Sequence, residues 1–383
     1  CHVGGAPAMN RSERSQTVAF AAIAILFLGW LSYNLSANLD ARGITIDYGF
    51  LWSPTSFPIG ESVISFGSGD TYFRALLAGF LNTLKLALAA IIVSTLLGVL
   101  VGLAERAAHP QLKALAKIYV ELTRNLPLLL ILVVCATVIR ILPPPRQAWN
   151  LGDAVLLSSR GLYMPTVVIE GAAAAVAIAG VLSLIIAFLL WKVMKRSRAE
   201  TGRFDKGKTS LFLAAAGVTV ILFILLPIVG QVNYPRLVGF NYQGGIGLTP
   251  EFVAMLVGLS FYTSGFVAEI VRGGLAAVHR GQTEAAHSLG LNKFLTLYLV
   301  LAPQAVRLML PPLTNQYLNA IKNTTLAVLI GYPDLVSVGN TALNQNGRSI
   351  ETVSIYLLVY LSLSLATSFV IRRLEKRARL VKS

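Results

Sequence analysis

One stretch of this sequence has the form of a phosphate-binding loop. Gly202-Arg203-Phe204-Asp205-Lys206-Gly207-Lys208-Thr209 matches GxxxxGK[ST], a pattern whose backbone N–H groups surround phosphates at a strand-to-helix turn. That chemistry needs a parallel sheet. Here an apolar run precedes the motif and another follows it, and the polar interval of about 20 residues is too short for strand crossovers of a dozen or more. No apolar strand ending in Asp lies nearby to hold magnesium. The match is read as chance, with Thr209 and Ser210 capping the next helix. His2, His109, His279 and His287 show no zinc-ligand spacing, and neither do Cys1 and Cys135. No nucleophile–base constellation appears, so neither a catalytic residue nor a bound cofactor or metal is expected. What remains are ionisable side chains inside apolar runs: Lys85, Glu170, Glu269, Arg307 and Lys322. A charge at the centre of a membrane helix costs about 2.5–3.5 kcal/mol on insertion scales, so each needs a reason. Glu269 and Arg272 share a helical face and read as a local ion pair or as a gate or cavity contact. Lys85, near the end of its run, reads as a snorkelling side chain, and Glu170 as structural.

The elements that must position these groups are long and apolar. Of 383 residues, 55% are hydrophobic and 13% charged, about half the roughly 25% charge of a soluble domain. Apolar runs lie at 18–35, 76–104, 114–139, 164–191, 211–231, 251–277, 303–330 and 353–371, each close to or above the roughly 20 residues a bilayer requires. A soluble enzyme, a disordered chain, a collagen-like chain and a disulfide scaffold are excluded. The fold class expected is all-α and polytopic, with about eight transmembrane helices. Trp30, Tyr33 and Asn34 follow the first run where a signal peptide would carry small residues, so that helix is read as retained. Met9 is a candidate start, and residues 1–8 carry no structural weight. Residues 36–75 read as an extramembrane loop, and Pro143-Pro144-Pro145 opens another.

Charge gives the orientation. Net charge is +15. With the N-terminus inside, the inner segments 1–17, 105–113, 192–210, 278–302 and 372–383 hold nineteen Lys and Arg, and the outer segments seven. This bias places both termini in the cytoplasm. The clusters Lys192–Arg198 and Arg372–Arg377 directly follow membrane helices. They read as topology signals that touch anionic lipid headgroups, and nucleic acid is not an expected partner.

The inner segment 278–302 contains Gly281-Gln282-Thr283-Glu284-Ala285-Ala286-His287-Ser288-Leu289-Gly290. Thr283 can cap a short helix through Glu284, Ala285 and Ala286, and Gly290 can end it. The small alanines allow another surface to approach closely. The spacing Glu284-Ala285-Ala286, Gly290 and Pro303 resembles the EAA motif of ABC-importer permeases, with Val300 and Ala302 at positions usually Ile and Leu. Ala268-Glu269-Ile270-Val271-Arg272-Gly273-Gly274, Pro303-Gln304-Ala305-Val306-Arg307, Leu310-Pro311-Pro312-Leu313 and Lys322-Asn323-Thr324-Thr325-Leu326 are similar to elements of the polar amino-acid type. Asn323 stands where that type has Asp. Asn82-Thr83-Leu84 and the stretch Tyr119–Leu129 resemble its first core helices, with Ile131 where many relatives carry Gln.

The resemblance implies a five-helix, type-1 permease core at 76–139 and 251–371, one N-terminal helix at 18–35 and a two-helix insertion within 140–250. Residues 36–75 form a periplasmic loop, and 1–17 and 372–383 are cytoplasmic tails. A chain with that insertion is most similar to the general L-amino-acid permease subunits of Gram-negative bacteria. It implies a non-catalytic inner-membrane subunit that moves L-amino acids by alternating access. Glu284, Ala285, Ala286 and Gly290 would dock on ATP-binding cassette subunits, where ATP is used. A second, homologous permease chain and a periplasmic amino-acid-binding protein complete the expected partners, beside membrane lipids. Pro311 and Pro312 suggest a break in the helix from Pro303, and broken helices place binding groups at mid-membrane in transporters. Lys322 would pair with a substrate carboxylate, with Thr324 and Thr325 hydrogen-bonding beside it. Glu269 and Arg272 complete the candidate pathway. The alternative is an autonomous ion-coupled secondary transporter, which needs coupling carboxylates and leaves the EAA spacing unexplained.

Overall fold

A computed structural model describes residues 11–380 apart from 42, 44, 108, 153, 169–171 and 202–205. α1 (Arg11–Ala41) carries the first apolar run and continues through residues 36–41, where the composition predicts a loop. α2 (Tyr72–Ala104) starts at Thr71, whose hydroxyl accepts from the Arg74 N–H. The run 114–139 forms two helices, α3 (Pro110–Asn125) and α4 (Leu128–Arg140), which meet at 106°. Pro127 sits at the bend; it offers no N–H and disfavours a helical residue before it.

The insertion begins with short strands. β1 (Trp149–Leu151), β2 (Val155–Ser158), β3 (Gly161–Met164) and β4 (Thr166–Val168) precede α5 (Ala172–Thr201) and α6 (Lys206–Val229). The expected helix 164–191 thus starts late, because Thr166, Val167 and Val168 pair antiparallel with β5 (Gln231–Asn233). β-Branched residues favour that pleated surface. β6 (Arg236–Val238) pairs with β7 (Asn241–Gln243), and β8 (Ile246–Leu248) closes a sheet of order β1-β2-β3-β8. α5 and α6 lie against each other and share a buried Ser183–Thr219 hydrogen bond of 2.9 Å.

α7 (Pro250–Ala276), α8 (Arg280–Ser288), α9 (Lys293–Leu295), a π turn at Thr296–Leu301 and α10 (Ala302–Asn323) follow. A 3-10 turn at Thr324–Leu329, α11 (Leu335–Asn346) and α12 (Ser349–Leu380) complete the chain. Six helical segments among the described residues are long and apolar enough to cross a membrane, or seven if α3 and α4 form one broken span.

α7 is the centre of the core and packs on α2, α3, α4 and α10. Its closest neighbour is α2, where the Gly98/Gly102 pair lets the backbones meet. A Cβ on Gly98 would fall 2.5 Å from the Val267 Cβ, and one on Gly102 would fall 2.7 Å from the Ala268 carbonyl oxygen. Leu86, Leu132, Met255, Leu259 and Tyr332 fill the main apolar cluster. Leu162 on β3 and Leu248 on β8, paired in register, pack on that cluster and tie the insertion to it.

Candidate functional site

The EAA segment is a helix held at both ends. His279, not Thr283, is its N-cap: the imidazole Nδ1 accepts from the Gly281 N–H at 3.1 Å, which starts the helix before Thr283 and leaves that residue inside it. At the other end Gly290 adopts φ +75°, a conformation glycine takes without a Cβ penalty. The Gly290 N–H then donates to the His287 carbonyl and the Leu291 N–H to the Ala286 carbonyl, at 2.9 and 3.1 Å. This double closure is a Schellman motif, and it satisfies carbonyls the helix end would otherwise leave open. Ala286 is buried, whereas Glu284 and Ala285 face outward. The Gln304 amide donates to Gln282 Oε1 at 3.2 Å, which ties α8 to α10.

Sequence reasoning missed how far this outward surface extends. Leu289 is 80% exposed and Phe294 72%, and Phe294 stacks on Tyr298 with ring centroids 6.3 Å apart. The signal available was the run from Leu289 to Leu301, apolar except at Gly290, Asn292, Lys293 and Thr296, in a segment read as a cytoplasmic loop. A helix fixed at both ends beside exposed apolar groups has the build of a surface that takes a protein or membrane partner.

The ionisable residues of α7 belong to a larger cluster at the α8 end of α2. Arg272 Nε lies 3.1 Å from Glu105 Oε2, and the same guanidinium donates to Glu269. Glu269 in turn lies 3.8 Å from Arg124. Glu105, just past the end of α2, is almost fully buried; burial pushes its carboxyl up, and Arg272 pulls it down. The charges therefore alternate along one chain, Glu105–Arg272–Glu269–Arg124, on the wall of a 570 Å³ cavity between α2, α3 and α7. The ion pair expected between Glu269 and Arg272 is made, and two further partners extend it. Glu105 was not singled out from the sequence because its partner is far away in the chain.

Lys85 is paired as well. Its ammonium lies 2.5 Å from Glu61 and 4.4 Å from the Phe252 ring centre, and Thr249 donates its hydroxyl to the same carboxylate. Thr249 is the N-cap of α7, so this cluster closes the other end of the α2–α7 contact, well inside α2. Beside it the buried Asn82 amide donates to the carbonyls of Glu61 and Pro333, at 2.7 and 2.9 Å.

Lys322 is exposed and makes no ion pair among the described residues. The helix before it is not broken at its prolines: α10 runs through Pro311 and Pro312. Arg307 and Leu308, whose carbonyls lose N–H partners to the prolines, line a 640 Å³ cavity where water can satisfy them. The Thr314 hydroxyl donates to the Leu310 carbonyl at 2.9 Å. The departure from α-helix falls at Thr324 instead. The Thr324 and Thr325 hydroxyls donate to the carbonyls of Ile321 and Lys322, at 2.7 and 2.8 Å; Thr324 is fully buried, so of the two Thr325 alone presents an acceptor to a solute.

Glu170 and Gly202–Asp205 lie outside the described residues. Lys206–Thr209, the rest of the phosphate-loop match, is the first turn of α6, with helix α5 before the motif. Thr209 and Ser210 are inside α6 rather than capping it, and Ser210 donates to the Gly207 carbonyl at 2.9 Å.

A bundle of apolar spans that holds a short capped helix at one end, beside a charged cavity, defines a membrane transport component. Residues 94–380 match the binding-protein-dependent transport system inner membrane components, and the chain belongs to that family. It is 39% identical over 362 residues to the general L-amino acid transport system permease protein AapQ of Rhizobium johnstonii, covering 94% of this chain and 90% of that protein. To the putative amino-acid ABC transporter permease protein YhdX of Escherichia coli it is 39% identical over 373 residues, covering 94% and 93%. The glutamate/glutamine/aspartate/asparagine transport system permease protein BztB of Rhodobacter capsulatus is 31% identical over 406 residues, covering 96% and 94%.

Proposed function

We propose that this chain is the membrane-spanning permease subunit of an ATP-driven amino-acid importer in a bacterial inner membrane. The observation that carries the reading is α8, a helix fixed at both ends that turns Glu284 and Ala285 outward at the EAA spacing. Such a helix transmits a push without bending. ATP-binding cassette subunits dock there and use the ATP, so the chain itself is not catalytic. The α8 end is cytoplasmic, as are both termini, and the Glu61 end faces a periplasmic amino-acid-binding protein. A second, homologous permease chain completes the pathway, and the basic clusters in the last turns of α5 and α12 rest on anionic lipid. The names of AapQ, YhdX and BztB support amino acids as the cargo. Lys322 takes the substrate carboxylate, Thr325 accepts from its ammonium with the buried Thr324 packed behind it, and Glu269 and Arg272 line the inner end.

Two measurements test this. A cysteine at Ala285 forms crosslinks to an ATP-binding subunit, and uptake stops on ATP depletion but survives collapse of the proton gradient. Uptake that follows the proton gradient instead establishes the ion-coupled alternative. Lys322→Ala abolishes uptake while leaving assembly and basal ATPase activity; normal uptake by that variant removes Lys322 from the pathway.

A further inference from the structure

The cavity at the α8 end holds more positive charge than its ion pairs use. Arg272 and Arg124 are engaged by Glu105 and Glu269. Arg106, Lys113 and Lys117 line the same space without an ion pair among the described residues, and Glu121 is the one further carboxylate on the wall. Two positive charges remain in excess.

The build of α3 says what faces that charge. Lys113, Lys117, Glu121 and Arg124 recur at helical spacing along one flank. Leu112, Leu115, Ile118 and Leu122 lie exposed on the opposite flank, and Ala116, Val120 and Thr123 are buried between them. An apolar flank belongs in lipid and a charged flank in water, so the cavity is aqueous. A lipid headgroup bound there would need an apolar surface beside the cations for its acyl chains, yet the leucines of α3 point the other way. Low-dielectric walls with one sign of charge in excess concentrate ions of the other sign.

We propose that this cavity is a binding site for solutes with more than one carboxylate, in which Arg106, Lys113 and Lys117 hold a side-chain carboxylate. Acidic amino acids therefore occupy it in preference to neutral ones, and neutral ones in preference to basic ones. The inference rests on the amino-acid permease reading and adds a substrate class to it.

The test uses the assembled complex, with its second permease and ATP-binding subunits, in lipid nanodiscs without the binding protein. Equilibrium binding of labelled glutamate, glutamine and lysine is measured in phosphatidylcholine discs and in discs with added phosphatidylglycerol. Glutamate binds about tenfold or more tightly than lysine in both. Lys113→Glu with Lys117→Glu reverses that order, and Lys113→Gln with Lys117→Gln brings the two affinities together. If the reversed pair does not assemble, the glutamine pair carries the test. An unchanged order in an assembled variant, equal affinities in the parent complex, or glutamate binding governed by phosphatidylglycerol content overturns the proposal. If the parent complex takes up no amino acid with ATP, the permease reading itself fails. Uptake together with an unchanged binding order is the failure of this inference alone.

Discussion

The two ends of the α2–α7 contact are both closed by charge, but in different ways. At the Glu61 end, one carboxylate takes Lys85 and the Thr249 hydroxyl, and Asn82 fastens the neighbouring backbone. Its Lys85–Glu61 pair is two-thirds covered on the lysine and more so on the glutamate. At the α8 end, four side chains alternate in sign beside an open cavity, and most of them are a third or more exposed. A cluster anchored through backbone carbonyls holds its geometry. Exposed ion pairs, each worth about 0–1 kcal/mol, exchange partners at little cost. The Glu61 end is built as a fixed closure and the α8 end as one that can rearrange, which suits the end nearest α8.

The contrast can be broken most severely where both ends depend on the same wall. Gly98→Val places its Cβ against Val267 and the Ser264 carbonyl, and should cost about 1–3 kcal/mol or more. The expected result is loss of assembled complex on size-exclusion chromatography, with both ends affected together. Arg272→Leu strips the buried Glu105 of its counter-charge. A cost of about 2 kcal/mol in thermal unfolding is expected, most of it recovered when Glu105→Gln is added; two additive losses would show that the pair does not couple.

Asp334 sharpens the comparison at the Glu61 end through pH. It caps α11 by accepting from the Ser337 N–H at 2.8 Å, and burial pushes its carboxyl up to about 7. The folded state therefore binds a proton that the unfolded chain releases above its ordinary value of 3.8. Stability contributed by this group falls as pH rises between those values and is flat above them. Asp334→Asn keeps the cap, and should remove that slope from unfolding midpoints measured across the window. The smallest effect is expected for Lys85→Met, about 1 kcal/mol in unfolding, because the lost ion pair is partly offset by an apolar side chain on Phe252. If Lys85→Met instead changes transport more than Arg272→Leu does, the assignment of fixed and rearranging ends is inverted.

Much of this was legible in the chain. The apolar runs located the spans because a bilayer imposes a length and a composition on any helix that crosses it. The Glu284-Ala285-Ala286 and Gly290 spacing located α8 because helix termination by glycine is local. Where local rules compete, reading failed. Thr283 is a better intrinsic cap than His279, yet the helix starts at Arg280, between the ends of α7 and α10. Pro311 and Pro312 predicted a break that α10 does not make, and Val167 reads equally as helix or strand until β5 is beside it.

By itself, then, the sequence determined that the protein lives in a membrane, where its helices fall, and that one short segment between them is a capped helix of the EAA type. These follow from periodicity, length and capping, each decided within a few residues. Only the tertiary structure decided that Glu61 meets Lys85 and that Glu105 meets Arg272, or that α3 turns its charges toward a shared cavity. Those contacts join residues far apart in the chain, and an ion pair forms wherever packing brings opposite charges together, which no local pattern encodes.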